Sequence, residues 1–248
     1  MLSQSSPSGD LAQESLHAHE VVLFAVASLA ELRESDTESH LLRVRGYVRA
    51  LVENLRSQPA YATVLTPQYI EALCACVPMY DLGTVGIPDR ILLKPGRLSP
   101  DELAIMRTHT TLGYEAIVRA EKTLGRSSYL LTLAKELTLS HQEKWNGKGY
   151  PKGLVEAQIP VSARIVALAD VYDALISNKV YKQGIGHAAA VAVIVSERGS
   201  HFDPLVVDAF VAVSAEFEAI AARHADSDSD MQQKIEYMAN AIAEIAEL

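Results

Sequence analysis

The 248 residues are enough for one large domain, or for one domain with appendages. A composition of 49% hydrophobic and 21% charged residues is that of a globular protein and excludes wholesale disorder. The formal net charge of −9 excludes a generally basic surface for duplex nucleic acid, although a local basic pocket could still hold a phosphate. The longest apolar run, residues 21–30, is shorter than the ~20 residues of a membrane span.

The first third of the chain predicts helices. Residues 15–32 predict a helix whose apolar face could pack against another domain or a second copy of the chain. The clearest amphipathic helix spans residues 36–55, because apolar side chains recur there every three or four positions, and His40 shares their buried face. A third helix is predicted from residue 67 to residue 80, with Pro78 bending or ending it.

The rest of the chain continues this pattern. Ser99, Pro100 and Glu102 form the start signal of a helix that we expect to run through His109 to about residue 120. Further helices are predicted over residues 129–141, 159–178, 205–222 and 231–248, with a polar linker over 224–230. No strand alternation persists, so the expected fold class is all-α.

Cys74 and Cys76 are the two cysteines of the chain. Their spacing suits neither a disulfide framework nor a zinc finger. We interpret them as reduced core residues of a cytoplasmic protein. No signal-peptide pattern opens the sequence, which agrees with that expectation.

The helix over residues 161–177 contains two carboxylates that need explaining. It is apolar nearly all the way round and is therefore expected at the centre of the fold. Asp170 and Asp173 lie within it, and a buried carboxylate is costly unless it is paired or bound to a metal. One candidate partner for Asp170 is a cation, Arg164 or another, in a salt bridge.

The other candidate partner for Asp170 is a metal ion. His40, His109 and His141 all point inward from separate predicted helices. Each alone is more often an ordinary core histidine. Three inward histidines together with an inward aspartate match the metal sites found in the cores of helical bundles. Imidazole and carboxylate together suit Fe, Mn, Zn or Ni.

Five motifs then follow one another in a recognisable order: GIPDRILLKPGRL, MRTHTTLGYEAI, HQEKWNGKGYPKGL, IPVSARIVALADVYDALISNKVYK and GSHFDPLVVDAF. Together they resemble the HD-GYP branch of the HD-domain phosphohydrolases, over roughly residues 31–212. The resemblance implies an HD-type multi-helix bundle with an N-terminal signalling helix. It also implies hydrolysis of cyclic di-GMP with bound metal ions.

The resemblance divides the chain into three parts. Residues 1–30 correspond to a flexible segment and a linker or dimerisation helix, similar to the segment that follows the receiver domain of many response regulators. Residues 31–222 correspond to the HD-GYP domain, and residues 223–248 to an acidic linker and a last helix. A homodimer through the N-terminal helix is expected.

Matching the motifs residue by residue gives an implied site. The implied metal ligands are Asp36, His40, Asp81, His109, His141 and Asp170. Asp81 and Asp173 are the implied catalytic residues, with Asp81 bridging two ions. Fe or Mn is the expected metal, as one ion or two, and an empty site remains the other possibility.

Among the positions that depart from the family pattern, three bear directly on the chemistry. Tyr80 replaces the first histidine of the family's His-Asp pair, and Gln142 replaces a second histidine. A phenol ligates a metal poorly at neutral pH because it ionises near pH 10, and an amide offers only a neutral oxygen. Thr84 stands where the family has a lysine near the substrate phosphate, so that charge is lost.

These departures predict a pseudoenzyme with weak or lost hydrolysis and a binding or regulatory role. The alternative is an active metal-dependent phosphodiesterase that produces the linear dinucleotide or GMP.

The substrate-binding residues implied by the resemblance match the family pattern better than the catalytic positions do. The GYP tripeptide is intact, and the implied substrate-binding residues are Gly149, Tyr150, Pro151, Lys179, Tyr181 and Lys182. The alternative for the lysines is an ordinary solvated surface. The expected partners are cyclic di-GMP and, through the GYP tripeptide, a diguanylate cyclase or another signalling protein.

Overall fold

The computed structural model describes residues 21–30, 33, 38–94, 96–178 and 183–246. Over these residues the regular elements are helices, and the only β-type pairings are two isolated bridges, Asn146 with Val155 and Arg198 with Phe202. The all-α prediction is confirmed. None of the described helices is both long and apolar enough to cross a membrane.

The helices are numbered in chain order. They are α1 (21–30), α2 (Glu38–Leu55), α3 (Pro67–Cys76), α4 (Asp89–Leu92), α5 (Pro100–Met106), α6 (His109–Leu124), α7 (Tyr129–Ser140), α8 (Val161–Ile176), α9 (His187–Ser196), α10 (Pro204–Ala212), α11 (Ser214–Arg223) and α12 (Asp228–Ala246). Short 3₁₀ turns cover Val77–Met79, Leu82–Gly86 and Glu156–Gln158.

Helix α8 lies at the centre of the bundle, as its apolar sequence predicts. It packs against α2, α7, α9 and α10, and the apolar residues with no exposed surface are Ala163, Ile165, Val166, Leu168, Ala169 and Tyr172. The Tyr47 ring of α2 stacks on Phe217 of α11 with 4.4 Å between centroids, and Tyr172 meets Phe217 edge-on at 5.0 Å. Burial of these aromatic rings joins α2, α8 and α11.

Local sequence signals give most helix boundaries correctly. Ser99 and Glu102 form the predicted capping box at the start of α5. Helix α3 ends at Cys76, and the chain turns through Pro78, as that residue predicts. Cys74 and Cys76 are buried free thiols, as expected.

Several predicted boundaries are wrong. The single helix predicted from residue 100 to about residue 120 is broken after Met106, and α6 starts at His109. The helix predicted over 205–222 is broken at Val213, whose backbone leaves the helical region.

Three helices also begin where none was predicted, and the first of them is the short helix α4. Helix α9 went unpredicted because its sequence AAAVAVIV carries no amphipathic period. Helix α12 begins at Asp228, inside the predicted linker, because Asp228 and Asp230 suit a first helical turn.

The described part of the N-terminal helix has two faces. Ala27 and Ala30 are buried, whereas Val21, Val22 and Leu29 are exposed. Dimerisation through this helix therefore stays a prediction.

Candidate metal centre

Three of the predicted metal ligands meet in one group. Asp81 Oδ1 lies 3.3 Å from His109 Nε2 and 3.1 Å from His141 Nε2, and the two Nε2 atoms are 3.2 Å apart. One ligand atom from each residue lies within 4.8 Å of the others, which is a separation that a single metal ion could bridge. Two imidazoles and a carboxylate suit a transition-metal ion.

The backbone orients both histidines of this group. His109 is the first residue of α6, and its Nδ1 lies 2.8 Å from the carbonyl oxygen of Met106, the last residue of α5. His141 caps the end of α7, with its Nδ1 3.0 Å from the carbonyl oxygen of Leu137. A carbonyl can only accept, so each Nδ1 donates and each Nε2 faces Asp81 as a potential ligand.

The electrostatics of the group follow from burial and mutual attraction. Burial raises the pKa of Asp81, but His141 and His109 outweigh it and hold that pKa at about 2. Burial lowers the pKa of His109, whereas Asp81 raises the pKa of His141 despite its burial. A metal ion held by these residues would compete with protons for the same ligand atoms, so its affinity would rise with pH.

The other two described members of the predicted ligand set form a separate hydrogen-bonded group. Tyr80 lies between them, with its Oη 2.8 Å from His40 Nε2 and 2.7 Å from Asp170 Oδ1. Tyr80 is almost fully buried, and its ring meets the His141 ring edge-on at 5.1 Å. The prediction that Arg164 forms a salt bridge with Asp170 is wrong, because Arg164 instead pairs with Asp203.

Asp173 lies behind His40, on the far side from Tyr80. Its Oδ2 is 2.8 Å from His40 Nδ1, and its two oxygens accept from Arg43 at 2.7 and 2.9 Å. Burial raises the pKa of Asp173, but His40 and Arg43 outweigh it and hold that pKa far below its usual range. These contacts make Asp173 a residue that positions His40, and its catalytic role stays a prediction.

The segment that carries the GYP tripeptide is held by a buried carboxylate. Glu143 accepts hydrogen bonds from the backbone N–H groups of Lys152 at 2.8 Å and Leu154 at 3.0 Å. Gly149 packs so closely on the backbone that a Cβ there would lie 2.2 Å from the nitrogen of Lys144. Sequence reasoning missed Glu143, although a carboxylate directly after the metal-ligand motif was a usable signal.

The same segment brings Tyr150 to the metal group. Its ring meets His109 edge-on at 6.1 Å, and the peptide bond to Pro151 is cis. The guanidinium of Arg107 lies 5.0 Å from the centre of the Tyr150 ring. Arg107, which sequence reasoning also missed, therefore places a cation at the rim of the site.

The remaining predicted positions divide into two sets. Thr84 is buried, and its hydroxyl donates to the carbonyl oxygen of Asp81 at 2.8 Å, so it presents no charge to the site. The others lie outside the described residues: Asp36, Lys179, Tyr181 and Lys182.

Comparison with known proteins identifies the family. The sequence model of the HD domain matches residues 26–206, so the chain belongs to the HD domain family, and the HD-GYP resemblance is confirmed. Two proteins of Vibrio cholerae are similar over most of the chain. One, named a probable cyclic di-GMP phosphodiesterase, is 50% identical over 212 residues, which are 86% of this chain and 48% of that protein. The other, named a cyclic di-GMP phosphodiesterase, is 50% identical over 208 residues, which are 84% of this chain and 42% of that protein.

These relatives are longer proteins, since the chain spans less than half the length of either. A solved structure, a cyclic GMP-AMP specific phosphodiesterase of Vibrio cholerae, shares the fold with a TM-score of 0.56. It is 16% identical, and the match covers 92% of this chain and 59% of that one. This likeness supports the all-α HD-type fold alone.

Proposed function

We propose that the chain is an HD-GYP output domain of bacterial cyclic di-GMP signalling that binds the dinucleotide but hydrolyses it weakly or not at all. The observation that carries the proposal is a contrast within one site. Asp81, His109 and His141 lie together in one group, and the Tyr150 ring lies beside His109. In contrast, a buried, neutral Thr84 lies at the position of the family's phosphate-facing lysine. The names of the two Vibrio cholerae relatives support cyclic di-GMP as the ligand.

The residues of the centre fit a divalent Fe or Mn ion. Asp81, His109 and His141 would hold it, and a bound ion there would supply Lewis-acid polarisation of a phosphoryl oxygen. Tyr150 offers an aromatic ring beside the metal group, suited to stacking on a guanine base. Arg107 next to that ring offers a positive charge for a phosphate.

The arrangement lacks groups that diester hydrolysis needs. Efficient hydrolysis in such sites uses two ions roughly 3.5–4 Å apart, which bracket the attacking and leaving oxygens. Each of the two expected ion positions has lost one imidazole, at Tyr80 and at Gln142. The missing lysine also removes a charge that would stabilise the transition state. Binding places fewer demands on these positions than catalysis does.

The proposal is tested by restoring the lost ligands. Purified protein loaded anaerobically with Fe(II) or Mn(II) is incubated with cyclic di-GMP, and the products are separated by chromatography. We expect little or no product from the native chain. The double variant Tyr80→His, Gln142→His should produce more, unlike the same variant with Asp81→Ala added.

Rapid formation of linear dinucleotide or GMP by the native chain, abolished by Asp81→Ala alone, would overturn the proposal. The chain would then be an active phosphodiesterase with a reduced ligand set.

A further inference from the structure

We propose that the Tyr80 hydroxyl takes the place of the second metal ion, so that this chain holds a single divalent ion at Asp81, His109 and His141. The inference rests on the metal group of the proposed function and adds to it the number of ions and the residue that sets this number. It is carried by where the Tyr80 oxygen lies.

The Tyr80 oxygen lies between two atoms that the second ion would need. It is 2.8 Å from His40 Nε2 and 2.7 Å from Asp170 Oδ1. A transition-metal ion bound to an imidazole and a carboxylate lies about 2.0–2.2 Å from each ligand atom. Such an ion would need the same two atoms that the phenol oxygen engages, so the phenol and the ion compete for them.

The two atoms that contact the Tyr80 oxygen belong to a chain of hydrogen bonds that runs from Asp173 to Asp170. Asp173 holds His40 Nδ1 at 2.8 Å, His40 Nε2 meets Tyr80, and Tyr80 donates to Asp170. A metal bond to His40 requires the lone pair of Nε2 to point at the ion, and here Nε2 is directed at the phenol. The phenol thus provides a hydrogen-bond partner for the partly buried Asp170 carboxylate, whose need for a partner was the reason to expect a metal ion beside it.

Packing keeps the phenol in this place. Tyr80 is 1% exposed. Its ring lies between His40, whose ring centroid is 6.3 Å away, and His141, at 5.1 Å. Moving the hydroxyl aside would require a close-packed interior to rearrange.

The Asp81–His109–His141 group differs from this second position. In this group the Nδ1 atoms of both imidazoles donate to backbone carbonyl oxygens. Both Nε2 atoms and the Asp81 oxygen therefore lie close together and remain able to bind a metal ion. The polar atoms of one position are therefore tied to a tyrosine, and those of the other converge as a ligand set.

The number of bound ions tests the inference directly. The whole chain, freed of metal, is titrated with Mn(II), and bound metal is counted by mass spectrometry after desalting. Electron paramagnetic resonance separates isolated Mn(II) from a spin-coupled pair. We expect one ion per native chain with no coupled signal.

Substitutions at Tyr80 complete the test. Tyr80→Phe removes the oxygen and keeps the ring, so it should open a second, weaker site. Tyr80→His should give two ions and the coupled signal. Tyr69→Phe, which removes another buried phenol oxygen, is the matched control and should keep one ion. Thermal unfolding checks that each variant is folded.

The ion counts separate a failure of the role of Tyr80 from a failure of the metal group. Two ions in the native chain, or a single ion in both folded Tyr80 variants, would overturn the role of Tyr80 and leave the proposed function standing. No ion in the native chain or in any variant would overturn the metal group itself.

Discussion

At the scale of single residues, the site depends on which side-chain atoms already take part in hydrogen bonds and which can still bind a metal ion. His109 and His141 commit one nitrogen to the backbone and direct the other at Asp81, whereas both nitrogens of His40 face side chains, those of Asp173 and Tyr80. Three inward histidines look alike in the sequence. Their neighbours in space separate them into two members of the candidate metal group and one member of a hydrogen-bonded chain.

A histidine outside the metal centre gives a prediction about pH. Burial, together with the nearby Lys144, lowers the pKa of His201 to about 4, while Glu197 acts in the opposite direction. Between about pH 6.5 and pH 4 the unfolded chain binds a proton at His201 that the folded chain does not bind. The native state therefore loses stability as the pH falls through this window.

We expect this loss to be about 1–2 kcal/mol, because His201 is only partly buried and solvent screens part of the effect. Denaturant unfolding at a series of pH values measures it. His201→Gln should show a flatter dependence on pH between 4 and 6.5 than the native chain. Equal slopes for the two proteins would contradict the prediction.

At the scale of elements, a close approach of two segments assembles the metal group. The Leu82–Gly86 turn, which follows Asp81, packs on α6, which begins at His109. A Cβ at Gly83 would lie 1.8 Å from the carbonyl oxygen of His109 and 2.7 Å from the nitrogen of Gly113. Only a glycine allows this contact, and the contact fixes the position of Asp81 relative to His109.

Gly83→Ala should therefore disturb both stability and metal binding. We expect the free energy of unfolding to fall by about 1–3 kcal/mol, since overpacking against backbone is hard to relieve. Mn(II) affinity should fall as well. Gly186→Ala, where a Cβ would meet no atom within 4 Å, is the control and should change stability by less than about 0.5 kcal/mol. Similar effects from the two substitutions would refute this reading.

The elements also show what the sequence could and could not predict. Amphipathic period and capping chemistry located α2, α3 and α5, because these signals are local. The break before His109 was missed, because nothing in its local pattern interrupts the helix. The Met106 carbonyl oxygen that orients the histidine lies directly before this break, so the missed boundary lies at the candidate site.

At the scale of the whole molecule, one buried guanidinium joins distant parts of the chain. Arg43 of α2 pairs with Asp173 of α8 and donates to Ser177 at 3.0 Å. It also donates to the carbonyl oxygen of His224 at 2.9 Å and to Asp226 at 3.2 Å. The segment before α12 is thereby connected through Asp173 to His40.

Removing Arg43 should be costly. Arg43→Met leaves Asp173 buried without its main partner, and we expect the free energy of unfolding to fall by about 3–5 kcal/mol. Arg49→Met is the matched control, because Arg49 forms an exposed pair with Glu71 and its loss should cost less than about 1 kcal/mol. Chemical denaturation measures both. A small loss for Arg43→Met would mean that this pair contributes little to the fold.

The sequence could predict that Asp170 and Asp173 needed partners, but not which ones. Arg164, proposed for Asp170, pairs with Asp203 instead, and the partners found are Tyr80 and Arg43. These pairs join residues 90 and 130 positions apart, so no local pattern reports them. The five motifs were enough to identify the family, whereas the contacts of each site residue could be seen only in the folded structure.

We propose that this HD-GYP domain binds cyclic di-GMP without turning it over efficiently. The most direct measurement is calorimetric titration of the Mn(II)-loaded chain with cyclic di-GMP, followed by chromatography of the nucleotide recovered from the same sample. We expect saturable binding in the micromolar range and recovery of intact cyclic dinucleotide. Absence of binding, or conversion of the ligand to linear dinucleotide or GMP during the titration, would contradict it.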